Sequence, residues 1–171
     1  MGRNTSITST EQVAISHVRA LGIDAHSMSA ISNVFRVANA LRNYSEKRLL
    51  KKYGLSFSGF TVLWVLWVLG AKQSHELAAE SGIAKSTLTG VMKTLLTLGF
   101  VTKTPIPGDR RRVVANITRK GTRTMKQIFP LFNQIEAHAT ADLSERERTD
   151  LARALRVILH TVEQQVNHSD P

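Results

Sequence analysis

The stretch from Ser74 to Thr118 limits what this chain can fold into more than any other part of it. It opens Ser-His-Glu-Leu-Ala-Ala-Glu-Ser-Gly-Ile and continues Ala-Lys-Ser-Thr-Leu-Thr-Gly-Val-Met-Lys-Thr-Leu-Leu, then passes through Asp-Arg-Arg-Arg into a β-like run. In the middle piece Leu88, Val91, Met92 and Leu95 recur at i, i+3, i+4 and i+7, the pattern of a helix with one apolar stripe. At about 100° per residue, Ser86, Gly90, Lys93 and Thr97 point the other way, with Thr87 and Thr89 on the flanks. That outer face has no carboxylate. Its small hydroxyls, its glycine and the lysines Lys85 and Lys93 suit close approach to a phosphate-lined groove.

The flanking pieces sharpen the expectation. Ser74 is placed to cap a short helix through Ser81, and Gly82 is placed to end it, because glycine tolerates the left-handed backbone of a sharp turn. A short helix, a glycine turn and a second helix with a polar outer face make a helix-turn-helix. Phe100 to Thr104 and Val113 to Ile117 read as two strands. Pro105, Pro107 and Gly108 mark the bend between them, tipped by Arg110, Arg111 and Arg112. Helix-turn-helix plus basic hairpin predicts a winged helix.

These residues resemble the MarR family of bacterial transcriptional regulators. The resemblance runs through Glu76-Leu77-Ala78, Lys85-Ser86-Thr87-Leu88-Thr89 and Leu98-Gly99-Phe100-Val101. It continues through Asp109-Arg110-Arg111, Ile117-Thr118 and Gly121, and covers roughly residues 30 to 165. The Asp-Arg-Arg tip followed by Ile-Thr-x-x-Gly is its most specific part. The resemblance implies a homodimer whose N- and C-terminal helices interlock two subunits. It also implies a recognition helix in a major groove and a wing in the adjacent minor groove.

Charge agrees with this. Between Lys85 and Lys126 ten lysines and arginines face one acid, Asp109, so this block carries +9 of the net +10. A basic block on the reading head with near-neutral flanks is the footprint of a polyanion binder. There are no cysteines, which excludes disulfides, thiolate metal sites and the cysteine-based oxidant sensing of some MarR-like regulators. The first residues lack the apolar core of a secretory signal. The longest largely apolar run, Phe60 to Ala71, falls short of the ~20 residues of a membrane span. A cytoplasmic protein with no membrane contact is expected.

Residues 1–26 read as an N-terminal extension, disordered to about residue 10, with a short helix over Glu11 to Leu21. Residues 27–55 hold the expected dimerisation helix, opened by Ser27 or Ser29, running to about Tyr53 and stopped by Gly54. Residues 56–118 form the winged helix-turn-helix. Its first helix, Gly59 to Leu69, is capped by Ser56 or Ser58, is apolar nearly all round and should be buried on all sides. Ala71 to Gln73 supply a third short strand. Residues 119–171 hold the C-terminal dimerisation helices. The first is capped by Thr118, faces Ile128, Leu131, Phe132 and Ile135 inward, and is kinked or interrupted at Pro130. The second is opened by a Ser144/Glu147 capping box and striped by Leu151, Leu155, Ile158, Leu159, Val162 and Val166. The tail from His168 should fray. The expected fold class is mostly α with a small β-hairpin wing (α+β).

The expected DNA-binding set is Lys85, Ser86, Thr87, Thr89, Gly90, Lys93, Lys103, Asp109, Arg110, Arg111 and Arg112. Ser86, Thr87, Thr89 and Lys93 are the base-edge candidates; Lys85, Lys103, Arg110, Arg112 and Arg119 suit phosphates. Asp109 is placed to orient the Arg111 guanidinium by a bidentate pair. Gly90 stands where many relatives carry a larger, often basic residue. Trp64 and Trp67 either pack in the core or line a pocket for a small aromatic or amphipathic effector. The six histidines lack ligand spacing, and no nucleophile, acid/base pair or phosphate loop appears, so no metal, cofactor or enzymatic activity is expected. The expected function is a sequence-specific duplex-DNA-binding regulator, a repressor relieved by an effector, on a pseudo-palindromic operator. The alternative is an architectural protein that binds DNA without sequence choice.

Overall fold

The computed structural model describes residues 8–106 and 109–169, with the backbone alone for residues 106, 109–112 and 166–169. The described residues fall into two compact units, one up to Phe132 and one from Asn133.

The first unit opens with α1 (Ser9–Ala20) and α2 (Ala25–Arg48). Of the stretch expected to be disordered, residues 1–7 lie outside the described residues, while Ser9 and Thr10 are already helical. α2 is capped by Asp24 rather than by Ser27 or Ser29: its carboxylate accepts the backbone N–H groups of His26 and Ser27 and the Ser27 hydroxyl. One ionised acceptor serving three donors outcompetes a serine. α2 also stops earlier than expected. At Leu49 the backbone leaves the α-helical region and tightens into a 3-10 turn (Leu50–Tyr53), with Gly54 left-handed at its end. The tightening seats both Leu49 and Leu50 in the core.

α3 (Phe57–Leu69) starts where Ser56, not Ser58, accepts the Gly59 N–H at 3.1 Å. Glu46 reaches across from α2 to accept the Phe57 N–H at 2.6 Å. Phe60, Val62, Leu63, Val65 and Leu66 are buried. Val68 and Leu69 remain 52% and 45% exposed, so the expectation of burial on all sides fails at the last turn. The Phe60 ring stacks on Phe132 at 4.5 Å, and Phe57 completes this aromatic cluster.

Next come β1 (Lys72–Gln73), α4 (Ser74–Glu80) and α5 (Lys85–Thr97). The cap of α4 is Gln73, not Ser74; its backbone N–H is taken by the Glu76 carboxylate at 2.7 Å in a capping box. Gly82, at φ +62°, makes the turn to α5. Leu77 and Ala78 of α4 are buried with Leu88, Met92 and Leu95 of α5, the stripe that the period predicts.

β2 (Val101–Ile106) and β3 (Asp109–Ile117) pair antiparallel, and β1 adds to the other edge of β3. The ladder runs in register from Val101↔Ile117 to Pro105↔Val113, then jumps to Ile106↔Asp109. The jump leaves Arg110, Arg111 and Arg112 opposite no residue of β2. The expected strands were too short: the arginine run belongs to β3 as an irregularity of the ladder, and the link between the strands is residues 107 and 108.

α6 (Arg119–Ala139) starts at the expected cap. The Thr118 hydroxyl accepts the Gly121 N–H at 3.0 Å and donates to the Gly99 carbonyl at 2.8 Å. The helix passes through Pro130 without interruption. Ile128 and Phe132 are buried as expected, but Leu131 is 41% exposed.

In the second unit α7 (Glu145–Ser169) follows the last residues of α6. Its Ser144/Glu147 capping box is present in both directions. The helix continues through His168 and Ser169, where fraying was expected. Leu151, Leu155, Leu159 and Val162 of its apolar stripe are all exposed.

Candidate nucleic-acid interface

α5 owes its position to its inner stripe. Leu88, Met92 and Leu95 are held in the core, so the residues about 180° away must face solvent. Lys85, Ser86, Thr87, Thr89, Gly90 and Lys93 are all exposed. The threonine hydroxyls on this face turn inward to their own helix: Thr89 donates to the Lys85 carbonyl at 3.2 Å and Thr94 to the Gly90 carbonyl at 3.3 Å. Their oxygen lone pairs remain available to accept from a base edge. Ser86 and Thr87 make no such bond among the described residues.

Lys103 stands exposed on β2. It lines, with His75, Lys85 and Thr89, a cleft of about 490 Å³ between the helix-turn-helix and the sheet. Three nitrogen-bearing side chains from α4, α5 and β2 thus share one concavity, which suits a phosphate. His75 was not in the expected set. No spacing along the sequence marks it, because only the fold brings it beside Lys85 and Lys103.

Lys120 leaves the set of outward charges. Its ammonium donates to the Leu98 carbonyl at 2.7 Å and sits 5.3 Å from the centre of the Phe100 ring. It satisfies an orphan carbonyl at the end of α5, where a cation also complements the helix dipole. The side chains of Asp109, Arg110, Arg111 and Arg112 lie outside the described residues, as does the expected Asp109–Arg111 pair. Their backbone is in β3, one strand from Lys103 on β2.

Trp64 and Trp67 are both half-buried on α3. Trp67 packs its ring 5.5 Å from Phe129 of α6.

Two carboxylates at the start of the chain are shifted. The Ser29 hydroxyl, the Asn33 amide and the Arg36 guanidinium hold the Glu11 carboxyl below the usual glutamate range. The Ser27 hydroxyl and the two capping N–H groups lower Asp24 likewise. Through these bonds the two acids order α1 and the start of α2. Among the described residues no group of three or more acids or histidines is placed to hold a metal ion. None of the described helices is long and apolar enough to cross a membrane.

Comparison with known proteins agrees with this geometry. A family model described as the MarR family matches residues 55–113, the span from the start of α3 into β3. The regulator YwaE of Bacillus subtilis, an uncharacterized HTH-type transcriptional regulator, is 32% identical over 157 residues, covering 88% of this chain and 92% of its own. The chain belongs to the MarR family. A second relative, the HTH-type transcriptional repressor NicR of Pseudomonas putida, is 27% identical over 61% of this chain and 66% of its own. The fold is shared with BpsR of Bordetella bronchiseptica, a protein whose DNA binding is regulated by 6-hydroxynicotinic acid. That structure superposes with a TM-score of 0.68 at 22% identity, over 75% of this chain and 98% of BpsR. This MarR-family protein is therefore a DNA-binding transcriptional regulator, with a winged helix-turn-helix as its reading head.

Proposed function

We propose that this regulator is a repressor that binds a pseudo-palindromic operator as a homodimer and is released by a small aromatic or amphipathic acid. The observation that carries the reading is the apolar surface left on the terminal helices. Phe35 and Val37 of α2 are 65% and 57% exposed, and Leu159 and Val162 of α7 are 57% and 51% exposed. Stripes of this kind call for a partner surface, and a second copy supplies the same stripes by symmetry. On this reading residues 27–55 and 119–171 are the dimerisation segments around the DNA-binding domain at 56–118. Two reading heads on a twofold axis meet half-sites about 10 base pairs apart. Ser86, Thr87, Thr89 and Lys93 read base edges across the open space at Gly90; Lys85, Lys103, Arg110 and Arg112 hold phosphates, and Arg111 enters the minor groove with Asp109 orienting it.

The effector reading rests on Trp64 and Trp67. Both are half-buried rather than fully packed, and BpsR offers a precedent for control by an aromatic acid. Such a protein acts on the chromosome, in the cytoplasm, and needs no catalytic group. Selection of bound sequences from a random duplex pool tests the operator. A preference of ~10³ or more over random DNA at physiological salt is expected, and its absence would favour an architectural protein. Titration with small aromatic acids should quench tryptophan fluorescence and weaken operator binding by the same factor by which operator weakens the ligand.

A further inference from the structure

Two features beside the base-reading side chains of α5 converge on one place. The first is the space beside Gly90. This glycine lies inside a 13-residue helix, has no positive φ, and a Cβ built on it would meet no atom within 4 Å. Neither packing nor backbone conformation asks for glycine there, although glycine is less stable than alanine in a helix interior. Gly90 opens onto a cleft of about 200 Å³ whose far wall is Leu55, Ser56 and Gly59 at the start of α3.

The second is the turn that joins α2 to α3. Lys47, Arg48, Lys51 and Lys52 fall within six residues of sequence, and all are exposed. Lys47 and Lys51 line a larger cleft, about 630 Å³, with Asn43, Glu46 and again Leu55 and Ser56. The two clefts share the Leu55–Ser56 wall, so they form one furrow from Gly90 to the two lysines. The nearby acid is engaged elsewhere, since Glu46 accepts the Phe57 N–H. Among the described residues neither lysine has an ion-pair partner. The turn is also firmly seated: Leu49 and Leu50 are buried, and a Cβ at Gly54 would already stand 3.4 Å from Leu98 Cδ2, just past the end of α5.

We propose that this furrow is a second seat for the DNA backbone. One strand of the duplex that receives α5 passes over Gly90 and Ser56, and Lys47 and Lys51 meet its phosphates. This rests on the reading of α5's outer face as the DNA-reading surface. A side chain at position 90 would hold the strand away; with glycine there the strand settles lower, and the positive charge comes from the turn before α3. Charge complementarity and continuity with the outer face of α5 favour duplex DNA as the occupant.

The test is binding of the full-length protein to a random-sequence duplex, read by fluorescence anisotropy over a series of salt concentrations. Lys47→Gln and Lys51→Gln should each lower the log-log salt slope by about 0.9 per subunit. Lys52→Gln, on the same turn but outside the furrow, should leave the slope unchanged. Gly90→Ala should raise the thermal midpoint of the free protein by roughly 2–4 °C while weakening DNA binding severalfold. Lys85→Gln, at the exposed start of α5 and read as a phosphate contact, separates the two readings. A slope that falls for Lys85→Gln but not for Lys47→Gln or Lys51→Gln overturns the furrow and leaves the α5 reading standing. Unchanged slopes in all three overturn both. Unchanged or tighter binding by Gly90→Ala overturns the close approach of the strand.

Discussion

Gly121→Ala is the sharpest probe of how the wing is tied to the rest of the head. Gly121 is the third residue of α6, where its N–H donates to the Thr118 hydroxyl. A Cβ built there would stand 2.3 Å from the Phe100 carbonyl oxygen and 2.8 Å from Ile117 Cγ1. The first atom is backbone, and it already accepts the Thr118 N–H at 2.9 Å, so it cannot swing aside as a side-chain end would. Relief to ordinary contact distance requires α6 and the root of β2 to separate by about 1 Å. Overpacking of this kind costs ~1–3 kcal/mol, occasionally more, and the rigid backbone neighbour argues for the upper end. Alanine's higher helix propensity offsets at most about 1 kcal/mol of that. A net loss of about 2 kcal/mol corresponds to a fall of roughly 4–8 °C in Tm for a chain of this size. The same chemical change at Gly90, where nothing lies within 4 Å, has the opposite expected sign, a gain of up to about 1 kcal/mol. Urea and thermal unfolding of the two variants side by side measure the difference. A Gly121→Ala protein as stable as wild type would refute the close approach of α6 to Phe100, and with it this account of the Thr-x-x-Gly sequence.

Other outcomes follow from particular contacts. Lys120→Met removes the bond to the Leu98 carbonyl and the contact over Phe100; a stability loss of about 1 kcal/mol is expected, with a DNA salt slope nearly unchanged, and a slope drop equal to that of Lys85→Gln would show that the ammonium serves DNA instead. Leu159→Asp places a charge on the exposed stripe of α7; sedimentation should show dissociation or unfolding at micromolar concentration, whereas an intact variant dimer, or a stable wild-type monomer, would remove α7 from the interface. Glu11 and Asp24 have folded pKa values below their unfolded ones, so the stability that they contribute is present above the usual carboxylate range. It is lost as pH falls below about 4.5 toward the folded values. Hydrogen-exchange protection of α1, measured against the intrinsic rate at each pH, should therefore fall on acidification before that of α3, and Glu11→Gln should flatten this response; equal protection in wild type and variant across the range would refute the role of Glu11 as the tie between α1 and α2.

The sequence alone determined what depends on spacing along the chain. The period of Leu88, Val91, Met92 and Leu95 put α5 in place with its bare outer face. The Thr118 and Ser144 caps, the turn at Gly82 and the third strand beside Gln73 were legible because each signal lies within four residues of its effect. The basic block from Lys85 to Lys126 marked the reading head for the same reason: charge is additive and needs no fold to be counted.

Tertiary structure decided what depends on competition and on distance. Asp24 took the cap of α2 from two serines because one carboxylate accepts three donors. α2 ended at Arg48 because adjacent leucines both needed the core, which outweighed a helical period that ran on to Tyr53. Leu131 pointed outward although its spacing matched that of Ile128 and Phe132. Lys120 and Lys93 are alike in sequence, and only the fold brings a carbonyl and an aromatic ring to one and leaves the other in solvent. Gly90 and Gly121 are alike too. One faces open space and the other a backbone oxygen, because contacts between residues some twenty positions apart in sequence are set by how the elements pack, not by any local pattern.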